Sequence, residues 1–106
     1  MLIKEIISYL ETIAPLSYQE SYDNAGLQVG NPEKDINAAL LCIDVTEAVL
    51  DEAISKKVGL IISHHPVIFG GIKKLTGNNY TERIIIKAIK EGLAIYSAHT
   101  NMDAAY

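Results

Sequence analysis

The stretch Leu60-Ile61-Ile62-Ser63-His64-His65-Pro66 places two adjacent histidines directly after a short apolar run. An uninterrupted apolar run is typical of a strand buried on both faces, as in a parallel sheet covered by helices. Pro66 has no backbone donor and biases the residue before it toward extended geometry, so the strand should end there. We therefore expect His64 and His65 at the carboxyl end of a buried strand, the edge where α/β sheets bind ligands.

The two histidines are neighbours, and neighbouring side chains on an extended segment point in roughly opposite directions. Two arrangements would let both act as ligands. Either the backbone bends at His65, or each imidazole reaches a different ion of a two-metal site, whose ions lie about 3.5–4 Å apart. A structural interpretation is also open, with one imidazole hydrogen-bonded in the core and the other solvated. The position at a strand end favours a metal or catalytic role.

The rest of the chain also contains sequence patterns that predict helices and strands. Apolar periodicity, capping residues and glycines predict helices over about residues 3–14, 46–58 and 81–91, and strands over 27–29, 38–43, 60–63 and 93–98. The strand over 38–43 reads as buried and ends at Asp44. Consecutive βα units with right-handed crossovers would bring Asp44, His64 and the segment after Ala98 to one edge of the sheet. The predicted fold is α/β, a mostly parallel sheet with helices on both faces.

The residues expected at this edge offer nitrogen and oxygen ligands without a thiolate. They are His64, His65, His99, Asp103 and Asp44. Imidazole and carboxylate ligands suit zinc, iron or manganese, and a set without cysteine argues against a closed structural zinc site. Incomplete protein ligation leaves open positions at which a divalent ion can activate water for hydrolysis. No serine or cysteine has a persuasive base partner in the sequence, so covalent catalysis has little support.

Composition limits the remaining classes. The net charge of −4 argues against direct binding to nucleic acid, which usually requires a basic patch. The single cysteine, Cys42, excludes an internal disulfide framework and suits a reducing compartment, so we expect a cytoplasmic location. Lys4 and Glu5 interrupt the start of the chain, which therefore does not read as the apolar core of a signal peptide. No stretch approaches the ~18 apolar residues of a membrane span. We therefore expect no membrane partner.

Four motifs together resemble one known family. They are SYDNAGLQVG at 21–30, IDVT at 43–46, SHHP at 63–66 and HTNMDA at 99–104. Their order and content resemble the amino-terminal part of the Nif-three-like dinuclear metal-centre family, whose bacterial members are often labelled homologues of type-two GTP cyclohydrolase I. The resemblance implies that His64 and His65 are paired metal ligands and that Asp103 is the carboxylate ligand. It places His99 in the same site, where we assign it a catalytic role.

The resemblance carries further expectations. It implies two divalent metal ions per intact site, hydrolysis of a small-molecule, nucleotide-like substrate, and assembly into a homohexamer. Family members are longer and add a His-x-x-x-Glu turn, so residues 1–106 are expected to be an amino-terminal α/β domain with about half of the ligands. Tyr22 and Gly70 stand where many relatives have tryptophan and a basic residue, which would alter the pocket wall only. The alternative function is a metal-dependent regulatory or scaffold protein without catalytic turnover.

Overall fold

A computed structural model describes residues 1–105 of the chain as a four-stranded sheet with helices on both faces. In chain order the elements are α1 (Ile3–Ile13), one 3₁₀ turn (Leu16–Tyr18), β1 (Gly26–Val29), β2 (Ala39–Cys42), α2 (Glu47–Ser55), β3 (Leu60–Ser63), α3 (Tyr80–Lys90), β4 (Ala94–Ser97) and α4 (Thr100–Ala105). The strand order is β1-β4-β3-β2, with β2, β3 and β4 parallel and β1 antiparallel to β4. The predicted α/β fold with a mostly parallel sheet is confirmed.

Two of the helices begin at polar caps that the sequence provides. The Thr46 hydroxyl oxygen accepts a hydrogen bond from the Val49 N–H at 3.1 Å, and Oδ1 of the Asn79 side chain accepts one from the Glu82 N–H at 2.9 Å. Each bond satisfies a backbone donor that has no partner within the helix. The short helix α4 was not predicted, because six residues are too few to show a helical period.

Both faces of the sheet are packed, because successive strand residues point alternately to opposite sides. Ile61 and Ile95 pack against α2 and α3 on one face. Leu60 and Tyr96 pack against α1 on the other face, where Met102 of α4 joins the same cluster. All four residues of β4 and three of the four in β3 are buried. The apolar runs that precede the histidines are therefore central strands, as predicted.

The strand β2 is not the buried strand that the apolar run over 38–43 predicted. It lies at the edge of the sheet, and its side chains alternate between exposed and half-buried. Leu41 is 75% exposed and Ile43, just beyond the strand, is 66% exposed. The cluster around α1 covers β3 and β4 on that face and does not include Leu41. An apolar run alone cannot distinguish a central strand from an edge strand that has one uncovered face.

None of the helices within residues 1–105 has the length and apolar character of a membrane span.

The end of β1 approaches β4 so closely that only glycine fits. Gly30 has a φ of +113°, and a Cβ added there would lie 2.5 Å from the Cβ of Ala94 and 2.7 Å from its Cα. Real Cβ atoms do not come so close to backbone atoms, and L side chains rarely adopt this φ. The absence of a side chain at Gly30 therefore allows the end of β1 to pack this closely on β4.

We predict that Gly30→Ala destabilises the fold by about 2–5 kcal/mol, the sum of a strained φ and an overpacked contact. Gly71→Ala is the matched control, because no atom lies within 4 Å of a Cβ built there. Urea unfolding of both variants measures the difference. Equal stabilities would contradict the close packing of β1 on β4.

Candidate metal centre

The carboxyl ends of β2, β3 and β4 lie side by side, because the parallel pairs run in register over all four residues. The residues that follow these strands therefore emerge at the same edge. Asp44 follows β2, His64 and His65 follow β3, and His99 follows β4, and all four side chains meet there. The predicted convergence of three polar strand ends is confirmed.

The backbone bends at the two adjacent histidines. The His64 N–H donates to the Cys42 carbonyl at 3.1 Å, and the His65 N–H donates to the Ile43 carbonyl at 2.9 Å. In a regular strand, successive N–H groups point to opposite sides, so two consecutive bonds to one neighbour require a bend. As a result, the two ring centroids are 5.1 Å apart. The structure has such a bend, which is one of the two arrangements that the sequence left open.

Two buried serines, the last residues of β3 and β4, stabilise this bend. The Ser63 hydroxyl donates to the His65 carbonyl at 2.8 Å, and the Ser97 hydroxyl donates to the His64 carbonyl at 3.1 Å. Both serines are at most 1% exposed, so their side chains are shielded from water. Since a buried hydroxyl without a partner is costly, each serine stabilises the backbone that carries a histidine.

His64, His65 and His99 form a compact cluster of three imidazoles. The centroids of the three rings are 5.1–5.2 Å apart in every pair. One nitrogen from each ring lies within 4.8 Å of the others, so the group could hold a metal ion. The cluster contains no thiolate, as the sequence predicts for a site with open coordination positions.

Each ring is held through Nδ1 by an oxygen that can only accept a hydrogen bond. The contacts are 2.9 Å from His64 to the Ala98 carbonyl, 2.5 Å from His65 to Asp44 Oδ1, and 3.1 Å from His99 to Asp23 Oδ1. A carbonyl or carboxylate oxygen has no proton to donate, so a neutral ring in this position carries its proton on Nδ1. The lone pair of each ring is then on Nε2, where it is available to a metal.

Asp23 is the functional residue that the sequence reasoning missed. Its side chain is fully buried beside the ring of His99. Burial alone would raise its pKa, but hydrogen bonds from the hydroxyl and N–H of Thr100 and from His99 lower that pKa to about 2. The carboxylate is therefore ionised at neutral pH. The sequence held one signal, the position of Asp23 within the 21–30 motif, but its partners are about 76 residues away along the chain.

Asp103 lies at the border of the cluster, on the first turn of α4. Its Oδ1 is 3.8 Å from Nε2 of His64, and its side chain is 64% exposed. The distance is too long for a hydrogen bond. It is within the separation that two ligands of one ion can have, because each lies about 2.0–2.2 Å from the metal. The group whose ligand atoms all lie within 4.8 Å of one another consists of the three imidazoles and does not include Asp103.

We predict that Asp23 makes stability depend on pH in the acid range. Its pKa in the fold, about 2, is below the ordinary 3.8, so its contribution is complete above about pH 5 and is lost as pH falls toward 2. Asp23→Asn should therefore cost about 1.5–3 kcal/mol at neutral pH and progressively less below pH 4. Urea unfolding of the metal-free protein across this range measures the difference, with the exposed Asp103→Asn as control. A cost that does not change with pH would contradict the prediction.

The fold and the site define a class of protein, an α/β domain with a histidine cluster at the carboxyl edge of its parallel strands. The model of the family Duf34/NIF3 (NGG1p interacting factor 3) matches residues 1–106. The chain belongs to this family, and the resemblance seen in its motifs is confirmed.

Relatives and solved structures agree with the family. A Clostridium acetobutylicum protein named GTP cyclohydrolase 1 type 2 homolog is 40% identical over 102 residues, which are 96% of this chain and 38% of that protein. Human NIF3-like protein 1 is 43% identical over 97% of this chain and 28% of its own length. A Bacillus cereus protein related to NIF3 superposes with a TM-score of 0.91 at 42% identity, covering 97% of this chain and 28% of that one. Reduced HcgD from Methanocaldococcus jannaschii superposes with a TM-score of 0.88 at 35% identity, covering 97% of this chain and 41% of that one.

The chain is shorter than these relatives. It spans between 27% and 43% of the length of eight curated relatives.

Proposed function

We propose that this chain supplies His64, His65 and Asp103 as ligands of a divalent metal centre that hydrolyses a small, nucleotide-like substrate, with His99 as a catalytic residue. The observation that carries the proposal is the orientation of the three imidazoles. Each Nδ1 lies against an acceptor oxygen, so each neutral ring has its lone pair on Nε2. Histidines that bind metals are typically oriented in this way by a carboxylate or a carbonyl.

The residues present fit a metal ion in their donor chemistry as well as in their orientation. Neutral imidazole and carboxylate suit zinc, iron or manganese. Asp44 and Asp23 accept from two of the rings and make those imidazoles stronger donors to a cation. An ion held there would supply the Lewis acidity that activates water for hydrolysis.

His99 differs from the other two histidines in what holds it. Its partner Asp23 is fully buried, whereas Asp44, the partner of His65, is 63% exposed. A buried, ionised carboxylate fixes the ring and favours a proton on Nδ1. Nε2 of His99 can then accept a hydrogen bond or a proton from a water or substrate in the cluster, which is the geometry of a general base.

The names of the relatives support the substrate class and the wider assembly. Several are called GTP cyclohydrolase 1 type 2 homolog, which motivates the nucleotide-like substrate. We propose that the chain corresponds to the amino-terminal α/β domain of the longer family members and that the intact site holds two ions. We also propose a cytoplasmic homohexamer, and the uncovered apolar side chains Leu41 and Ile43 support association with further protein surface.

A second candidate is a metal-dependent regulatory or scaffold protein without turnover. The family description, NGG1p interacting factor 3, names a protein partner and favours this candidate. Both candidates need the same metal centre. They differ in turnover, so a screen of nucleotide hydrolysis by the metal-loaded protein decides between them.

We predict that His64→Ala or His65→Ala lowers metal affinity more than His99→Ala does. Loss of a residue that only orients a ligand costs about 10–100-fold in affinity, and loss of a ligand should cost more. Metal content after purification without added metal, followed by zinc titration of each variant, measures the difference. If His99→Ala loses as much metal as the other two, His99 is a ligand and its catalytic assignment is wrong.

A further inference from the structure

Phe69 stands at the border of the histidine cluster with its ring uncovered. The ring is edge-on to His99, with centroids 6.3 Å apart and planes at 73°. Phe69 is 55% exposed, and it is the single phenylalanine of the chain. Single exposed apolar side chains are common on a protein surface, so the informative feature of Phe69 is its place against His99, where an accessible ring borders the histidine cluster.

The backbone next to this ring is held in place by two side chains of the 21–30 motif. The Asn24 side-chain amide donates to the Ile68 backbone carbonyl at 2.7 Å, and the Ile68 N–H donates to Oε1 of the Gln28 side chain at 3.2 Å. The Gln28 amide in turn donates to the Asn24 carbonyl at 2.7 Å. Both backbone groups of Ile68 therefore have partners, which fixes the segment that leads to Phe69.

The same motif also fixes the neighbouring histidine. Asp23 accepts from the ring of His99, and Asn24, the next residue, holds the backbone before Phe69. The turn that contains Asp23 and Asn24 therefore positions both the ring of His99 and the backbone that leads to Phe69. The two residues after Phe69 are glycines, and no atom lies within 4 Å of a Cβ built at Gly70 or Gly71. Phe69 is therefore followed by two positions with open space around them.

We propose that Phe69 forms the wall of the substrate site and stacks on a planar heteroaromatic ring of the substrate, with Asn24 and Gln28 as its positioning residues. This inference rests on the proposed function, because it names the part of a nucleotide-like substrate that the metal centre does not contact. A phenyl ring offers a π-face and no hydrogen bond, so it selects for a flat ring. The anionic part of the same substrate would face the metal centre.

The test compares two probes that share a polyphosphate and differ in the ring, GTP and inorganic triphosphate. Their binding to the protein is measured by calorimetry, with and without added zinc. Phe69→Ala should weaken GTP binding roughly tenfold, the order of magnitude of one base–aromatic stack, and leave triphosphate binding unchanged. Phe69→Tyr keeps a stacking ring and should bind GTP like the unmodified chain. Tyr9→Ala, which removes an exposed aromatic ring on α1, is the control.

The outcomes separate this inference from the proposed function. Failure of the metal centre would change the binding of GTP and triphosphate together, whereas loss of the Phe69 contact changes GTP alone. Equal affinity for GTP and triphosphate in the unmodified chain would overturn the inference, as would a preference for GTP that survives Phe69→Ala. Binding of triphosphate without binding of GTP by the unmodified chain would overturn it as well.

Discussion

The in-register parallel pairing of β2, β3 and β4 is the constraint on which the site depends. Because Cys42, Ser63 and Ser97 end their strands at the same level, the residues after them leave the sheet at one edge. A shift of one residue in either pair would turn the following side chains to the other face of the sheet. The buried residues of β3 and β4 fix this register. The apolar core therefore positions the polar residues that follow the strands, although those residues lie outside the core.

The central strands and the meeting of their ends could be predicted from sequence, because an apolar run followed by a polar end is a local pattern. The edge position of β2 could not, since Leu41 reads like Ile61 until the neighbours are known. The bend at the two histidines was one of two arrangements that the sequence left open, and a local pattern could not decide between them. It depends on bonds from Ser63 and Ser97, and Ser97 is 33 residues away from the histidine it supports.

Asp23 and Phe69 show why the site was only partly predictable. The three histidines stand out because imidazole is chemically distinctive, but the groups that orient them are ordinary residues whose role comes from tertiary contact. Asp23 reads as a turn residue, and its hydrogen bonds to Thr100 and His99 exist only after β1 has packed on β4. The 21–30 motif joins these functions, since its carboxylate orients one ring and its amides hold the segment that carries another.

The central claim is that all three imidazoles carry a proton on Nδ1 and a lone pair on Nε2, because each Nδ1 is bound to an acceptor oxygen. The most direct measurement is a two-bond ¹H–¹⁵N correlation spectrum of the metal-free protein at about pH 8, above the ordinary titration range of imidazole. The chain has only three histidines, so each ring can be assigned. The account predicts a protonated Nδ1 and an unprotonated Nε2 in His64, His65 and His99. A proton on Nε2 of any of the three rings would contradict it.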